Sequence, residues 1–215
     1  MNLKPQNNNY LNIIGKILAL LFLYLLQQLP PSILAITKPS SNSKLFIDLT
    51  FLSTAVISLF VMIYILKRTQ NFATKSLSAK SYIWIIIAAV FNYSINLILF
   101  PLMKTTGNSN VNAQTELVKH FPVLFVIYAT IIAPITEEIF FRGYLINWFF
   151  PDNLYFGAAI SAIIFGLMHI SSDPIYFLSK AILGFVLGLI YVKTKNIKAN
   201  IILHFINNLS ALFMG

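Results

Sequence analysis

The length, composition and charge of the chain restrict the kind of protein it can be. Of its 215 residues, 58% are hydrophobic and 10% are charged, and the net charge at pH 7 is +9. So apolar a chain is not an ordinary soluble globular protein, and the absence of cysteine excludes disulfide frameworks, thiolate nucleophiles and cysteine metal sites. Because Lys and Arg cluster at the ends of apolar segments, the positive charge indicates membrane topology rather than nucleic-acid binding.

Apolar segments that are long enough to cross a bilayer recur along the whole chain. They predict an all-α polytopic membrane protein with about seven transmembrane helices in one domain. The first span should be retained, because no small-residue cleavage site of a signal peptide follows it. Polar connections such as Thr37–Lys44 and Thr105–Asn112 separate the early helices. The predicted spans are Leu11–Leu29, Phe46–Leu66, Tyr82–Met103, Phe121–Phe150, Leu154–Ile170, Ile175–Val192 and Ile197–Met214.

Positive residues between the spans predict the orientation of the chain. Two basic loops, between the second and third spans and between the sixth and seventh, lie on the same side as the N-terminus. An excess of Lys and Arg marks the cytoplasmic side, so we expect the N-terminus inside and the C-terminus outside. The residues of that side are Lys4, Lys67, Arg68, Lys75, Lys80, Lys193, Lys195 and Lys198, against Lys38, Lys44, Lys104 and Lys119 on the other.

The fourth predicted span, Phe121–Phe150, carries most of the buried charge. Its 30 or so residues would form a helix of roughly 45 Å, longer than the roughly 30 Å of hydrocarbon in a bilayer. It must therefore kink, tilt or protrude. We expect Pro134 to kink it and Thr136 to cap a restarted helix whose first turn contains Glu137 and Glu138.

These two adjacent glutamates have different expected roles. An ionisable side chain at the bilayer centre costs roughly 2.5–3.5 kcal/mol, so it is kept only where it is paired or useful. Arg142 lies four residues after Glu138 and can form an i,i+4 ion pair with it, which gives Glu138 a structural role. Glu137 points about 100° away around the helix and has no such local partner. Glu137 is therefore the candidate for chemistry.

Two histidines inside apolar runs can approach Glu137. A turn between the fourth and fifth spans makes an antiparallel hairpin, which places His169 within about one helical turn of the level of Glu137. His204 lies about six residues into the last span, roughly 9 Å below the cytoplasmic face. Phe165 shares a helix face with His169, and Asn208 shares one with His204. Glutamate, arginine and two histidines buried together thus indicate a reaction centre within the membrane.

The same residues form three short motifs that occur in order on predicted membrane helices. They are Glu-Glu-x-x-x-Arg at Glu137–Arg142, Phe-x-x-x-His at Phe165–His169 and His-x-x-x-Asn at His204–Asn208. In these motifs the chain resembles the CPBP family of intramembrane proteases, named for CaaX proteases and bacteriocin-processing enzymes and also called the Abi family. The resemblance covers roughly residues 121–214, whereas the first three spans match only as membrane helices.

The resemblance implies an intramembrane endopeptidase. Glu137 would be the general base that deprotonates a water, and His169 would help to hold and polarise that water. His204 and Asn208 would stabilise the oxyanion that forms on the scissile carbonyl. The supporting residues would be Glu138, Arg142 and Phe165.

A catalytic zinc is the alternative to glutamate catalysis. Glu137, His169 and His204 could provide three ligands and leave a fourth position for water. The chain has no His-Glu-x-x-His spacing, and Asn208 suits an oxyanion donor better than a metal ligand. We favour metal-free glutamate catalysis without a cofactor.

Functions of other classes also agree with the sequence. A proton-coupled transporter would bury Glu, His and Asn, although we find no internal repeat of the kind many transporters carry. A non-catalytic bacteriocin-immunity or scaffold protein of the membrane is the other alternative, and members of the family that the chain resembles are associated with such roles.

The sequence also sets expectations for organisation, partners and location. Within one membrane domain we distinguish N-terminal transmembrane helices at residues 1–117 from a catalytic core at residues 118–215. The expected partners are the lipid bilayer and a peptide or protein substrate that reaches the site within the membrane, with no nucleic acid. Richness in Asn, Lys and Ile suits a bacterium, so we expect an integral protein of a bacterial plasma membrane.

Overall fold

A computed structural model describes residues 10–36, 44–69, 76–104, 108–169 and 171–212. In these ranges the chain forms helices and no strand. A short 3₁₀ turn, Phe100–Leu102, prolongs the third helix. The helices are α1 Tyr10–Ile36, α2 Lys44–Thr69, α3 Ala79–Leu99, α4 Ser109–His120, α5 Pro122–Phe149, α6 Leu154–Met168, α7 Pro174–Thr194 and α8 Ile197–Ala211.

Five of the described helices, α1, α2, α3, α5 and α7, are long and apolar enough to cross a bilayer. Many large apolar side chains on α1 to α3 are exposed, as expected for helices that face lipid. Helices α6 and α8 have 15 residues each, fewer than the roughly 20 that a crossing usually needs. The all-α polytopic membrane fold is confirmed. The count of about seven crossings and the orientation stay predictions.

Some residues on which these predictions depend lie outside the described ranges. They include Lys4, Lys38 and Lys75 of the orientation argument, and Ile170 and Met214 at the ends of two predicted spans. The connection Thr37–Lys44 also lies almost wholly outside them.

Part of the segment after α3, predicted as a polar connection, is a helix. Asn108 begins α4, because its side-chain oxygen accepts hydrogen bonds from two N–H groups of the first turn at 3.1 and 3.2 Å. No residue of α4 is buried. This helix contains few apolar residues, so a search for long apolar segments did not reveal it.

Helix α5 passes Pro134 without ending. It widens into π-helical turns at Tyr128–Ile132 and again at Ile139–Ile146. Thr136 does not cap a new helix, since its hydroxyl donates to two carbonyls of the preceding turn, both at 3.1 Å. The predicted restart at Thr136 is therefore wrong, because a π-helical turn accommodates the residue that lacks an N–H.

Small residues bring α6 and α7 into close contact. A Cβ atom on Gly184 would lie 3.1 Å from the Cα of Ala162, and one on Gly188 would lie 2.8 Å from the Cβ of Ala158. Such close approach is typical of small residues between membrane helices. It also brings the Gly184 carbonyl of α7 close to α5, where Arg142 donates a hydrogen bond to it.

We expect Gly188→Ala to destabilise the protein by about 1–3 kcal/mol, because the added methyl group overpacks a contact formed by backbone-attached atoms. Gly15→Ala is the matched control, since no atom lies within 4 Å of a Cβ at that position. The free energy of unfolding of the purified proteins, measured in the same detergent, checks this. Equal stability of the two variants would contradict the close packing of α6 on α7.

Candidate active site

A fully buried ion pair lies at the centre of the helix bundle. Arg142 Nη1 is 3.0 Å from Glu138 Oε1, and both side chains are 0% exposed. Arg142 Nη2 donates to the Gly184 carbonyl at 2.6 Å. The guanidinium carbon lies 5.6 Å from the ring centroids of Phe141 and Phe165. The i,i+4 pair expected from the sequence is thus formed, and the hydrogen bond and aromatic rings add contacts that a buried charge requires.

His204 lies between the two glutamates. Its Nδ1 is 2.8 Å from Glu138 Oε1, and its Nε2 is 3.7 Å from Glu137 Oε2. The ring is 2% exposed. An ionised carboxylate can only accept a hydrogen bond, so Nδ1 carries the proton that is donated to Glu138. This bond fixes the ring and directs Nε2 towards Glu137.

Glu137 is in a different environment from its neighbour. Its side chain is 19% exposed, whereas that of Glu138 is fully enclosed. Glu137 Oε2 is buried but has no hydrogen-bond partner among the described residues, and the same holds for Glu138 Oε2. Only Glu137 therefore combines an unsatisfied carboxylate oxygen with partial access from outside the cluster. This is the arrangement in which a carboxylate can bind and activate a water.

His169 joins the site through an aromatic ring rather than by direct contact with Glu137. Its Nδ1 lies 2.8 Å from the Phe165 carbonyl, and its ring centroid lies 4.5 Å from that of Phe165. Phe165 also contacts the ring of His204 at 5.7 Å. No hydrogen bond or ion pair links His169 to Glu137 within the described part of the chain. The two residues predicted to face each other are therefore connected only indirectly, through Phe165 and His204.

Asn208 lies one helical turn after His204 on α8. Its side-chain Nδ2 donates to the backbone carbonyl of Ala129 at 2.9 Å, and its Oδ1 accepts from Asn207 at 3.1 Å. The amide is half-buried. It has one further N–H with which it could bind an oxygen atom of a ligand.

The site also contains a cation that the motifs did not indicate. Lys180 lies in the second turn of α7, half-buried, and interacts electrostatically with Glu137 and His169. Its ammonium group lies 5.2 Å from the ring centroid of Tyr176. The signal in the sequence was a single lysine inside the apolar run Ile175–Val192. A charged side chain within a membrane helix costs free energy, so its presence there marks it as a candidate functional residue.

The candidate ligands of a zinc ion are not assembled in this structure. Among the residues described, no three His, Asp or Glu side chains are placed to hold a metal ion. Glu137 and His204 approach each other, but His169 packs on Phe165. The residues as placed do not fit the zinc alternative, and the chemistry below uses side chains alone.

The part of the chain that contains this site is similar to a known protein family. Residues 119–210 match the family described as "Type II CAAX prenyl endopeptidase Rce1-like". This range contains the three motifs and most of α5 to α8. The matched range is fewer than half of the 215 residues of the chain. The family resemblance of the motifs is thereby confirmed, and it groups the chain with CAAX-protease-like membrane peptidases.

Curated relatives extend beyond this range. The chain is 27% identical over 172 residues to the Bacillus subtilis protein named "Putative membrane peptidase YdiL". The aligned region covers 77% of this chain and 69% of that protein. It is 27% identical over 158 residues to "UPF0177 protein YxdF" of Lactococcus lactis, covering 71% of this chain and 87% of that protein. No solved structure matches the chain significantly.

Proposed function

We propose that this protein is an intramembrane endopeptidase in which Glu137 activates the attacking water. One observation carries the proposal. In a single buried cluster, Glu138 is neutralised by Arg142 and hydrogen-bonded to His204, while the Glu137 side chain is 19% exposed and its buried Oε2 has no hydrogen-bond partner among the described residues. Two neighbouring carboxylates with different partners are suited to different tasks, one structural and one catalytic.

The reaction follows from this division. Glu137 removes a proton from water as the water oxygen attacks the scissile carbonyl carbon, and the carbonyl electron pair moves onto oxygen. The free N–H of Asn208 donates to this oxyanion, and His204 donates to it from Nε2 as an imidazolium that keeps its Nδ1 proton on Glu138. When the carbonyl re-forms, the carbon–nitrogen bond breaks and Glu137 returns its proton to the leaving amine. The products are one new carboxyl group and one new amine, as hydrolysis requires.

The remaining side chains of the cluster have positioning roles in this proposal. Phe165 packs between the two histidine rings and against Arg142, so it sets their relative positions. His169 donates from Nδ1 to a backbone carbonyl, which leaves Nε2 as an acceptor for the water. Lys180 would place a positive charge near Glu137 in this cluster. The substrate would be a membrane-associated peptide or protein, in a bacterial plasma membrane.

We expect cleavage to be independent of metal ions. Purified protein in lipid vesicles should keep its activity after dialysis against a strong zinc chelator, because the described His, Asp and Glu residues form no ligand set. The measurement is the cleavage rate of a fluorogenic peptide, selected from a library for cleavage by the wild-type protein, together with the zinc content of the sample. Loss of activity on chelation that added zinc restores would overturn the metal-free mechanism.

A further inference from the structure

A row of side-chain amides runs from α3 to the candidate oxyanion donor. Asn92 and Asn96 of α3 donate to Asn207 Oδ1 at 2.5 and 3.3 Å. Asn207 Nδ2 donates to Asn208 Oδ1 at 3.1 Å, and Asn208 Nδ2 donates to the Ala129 carbonyl at 2.9 Å. Asn92 is 2% and Asn207 8% exposed, so these bonds lie inside the bundle. This row connects the first half of the chain with the site.

The direction of every bond in the row is set at the Ala129 carbonyl. A carbonyl can only accept, so Asn208 must turn its NH₂ group towards Ala129 and its oxygen towards Asn207. Asn207 must then present its NH₂ group to Asn208 and its oxygen to α3, where Asn92 and Asn96 supply NH₂ groups. Reversing one amide would bring like groups face to face. The carbonyl at the end of the row therefore decides which side of each asparagine amide is the oxygen and which is the NH₂ group.

The Ala129 carbonyl can take this bond because its own helix provides no donor for it. In an α-helical turn the donor would be the N–H of Ala133, but that group donates to the carbonyl of Tyr128 instead. In a π-helical turn the donor would be residue 134, which is a proline and has no N–H. The irregular turn of α5 thus exposes one backbone acceptor towards α8, and Asn208 occupies it.

We propose that Asn207 is a positioning residue that fixes the amide orientation of Asn208, and that α3 anchors it through Asn92 and Asn96. The inference rests on the proposed function, in which the second N–H of Asn208 contacts the oxyanion. Ser179 of α7 strengthens the anchor by lying 3.4 Å from Asn96 Oδ1. On this proposal α3 takes part in building the site rather than serving only as a membrane helix.

The deciding variant is Asn207→Asp, which keeps the shape of the side chain but removes its NH₂ group. A carboxylate at this position accepts from α3 and also attracts the NH₂ group of Asn208, which then turns away from Ala129 and from the oxyanion. We expect kcat to fall by about 10²-fold, the effect of losing one oxyanion donor, with KM little changed. The assay uses the library-selected fluorogenic peptide and purified protein in lipid vesicles.

A double-variant cycle separates positioning from a general structural effect. Because Asn207 acts through the Asn208 amide, adding Asn207→Asp to Asn208→Ala should cause no further loss of kcat. Losses that add, or full activity of Asn207→Asp, would overturn the inference while leaving the role of Glu137 intact. Wild-type activity of Asn208→Ala would overturn it together with the proposed oxyanion contact.

A second pair of variants tests the anchor on α3 if Asn207→Asp does not fold. Asn92→Asp places a carboxylate against Asn207 Oδ1 and favours reversal of the row, so kcat should fall. Asn92→Ala removes one donor but leaves Asn96 to hold Asn207 and does not favour reversal of the row, so its kcat should fall less than that of Asn92→Asp. Equal kcat values for these two variants would overturn the proposal.

Discussion

Glu137→Gln is expected to lower the rate of peptide cleavage by about 10²–10⁴-fold, the usual contribution of a general base. Glutamine has nearly the same shape but cannot accept a proton from water at neutral pH. The fold should persist, because the Glu137 side chain is partly exposed and its Oε2 makes no hydrogen bond with the described residues. The measurement is kcat/KM for the fluorogenic peptide, with the free energy of unfolding measured on the same sample.

The matched control for this substitution is Glu116→Gln on α4. Glu116 is 63% exposed, and among the described residues it forms ion pairs only with Lys119 and His120 of its own helix, so its loss should leave cleavage unchanged. Wild-type cleavage by Glu137→Gln would remove Glu137 from the mechanism. If bacteriocin immunity or another cellular activity survived the substitution undiminished, peptide hydrolysis would not be the function, and a scaffold role would replace it.

Interactions within one helix could be predicted from the sequence. The pair of Glu138 with Arg142 follows from a spacing of four residues, and it forms as expected. The unequal environments of Glu137 and Glu138 also follow, since neighbouring residues point about 100° apart around a helix. The hairpin of α5 and α6 required only a turn signal, and these helices end and begin on either side of it.

Contacts between helices could not be predicted in the same way. His204 binds Glu138 across 66 residues of sequence, and no spacing rule states which of two adjacent carboxylates faces a distant histidine. The position of His169 against Phe165 depends on how α6 is rotated about its axis. Asn92 could not be singled out for the same reason. In the sequence it looks like any other polar residue in a membrane helix, and only the structure shows that it pairs with Asn207 of α8.

The course of α5 near Pro134 could be predicted only in part. Proline indicates a disturbed helix, but the sequence does not show whether the chain breaks, kinks or widens into a π-helical turn. The widened turn affects the site, because it leaves the Ala129 carbonyl without a donor in its own helix, and Asn208 donates to it instead. A restarted helix capped by Thr136 would have satisfied different backbone groups.

Arg142→Met should have the largest effect on stability, about 3–5 kcal/mol, because it leaves a buried carboxylate without its cation. Glu138 would keep only His204 as a polar partner, with both side chains almost fully enclosed. Arg142 also holds the Gly184 carbonyl of α7, so its removal loosens the helix pair that carries Phe165. The free energy of unfolding in detergent measures the loss, and Arg68→Met at the exposed end of α2 is the control.

Adding Glu138→Gln to Arg142→Met should recover much of this stability, since both buried charges are then removed and two neutral side chains of similar size remain. Cleavage should recover only in part, because a neutral amide oxygen accepts from His204 Nδ1 more weakly than a carboxylate and holds the ring less firmly towards Glu137. A double variant that is as unstable as Arg142→Met would show that packing of the guanidinium, rather than charge compensation, holds the bundle together. A double variant with wild-type cleavage would show that the ion pair does not position His204.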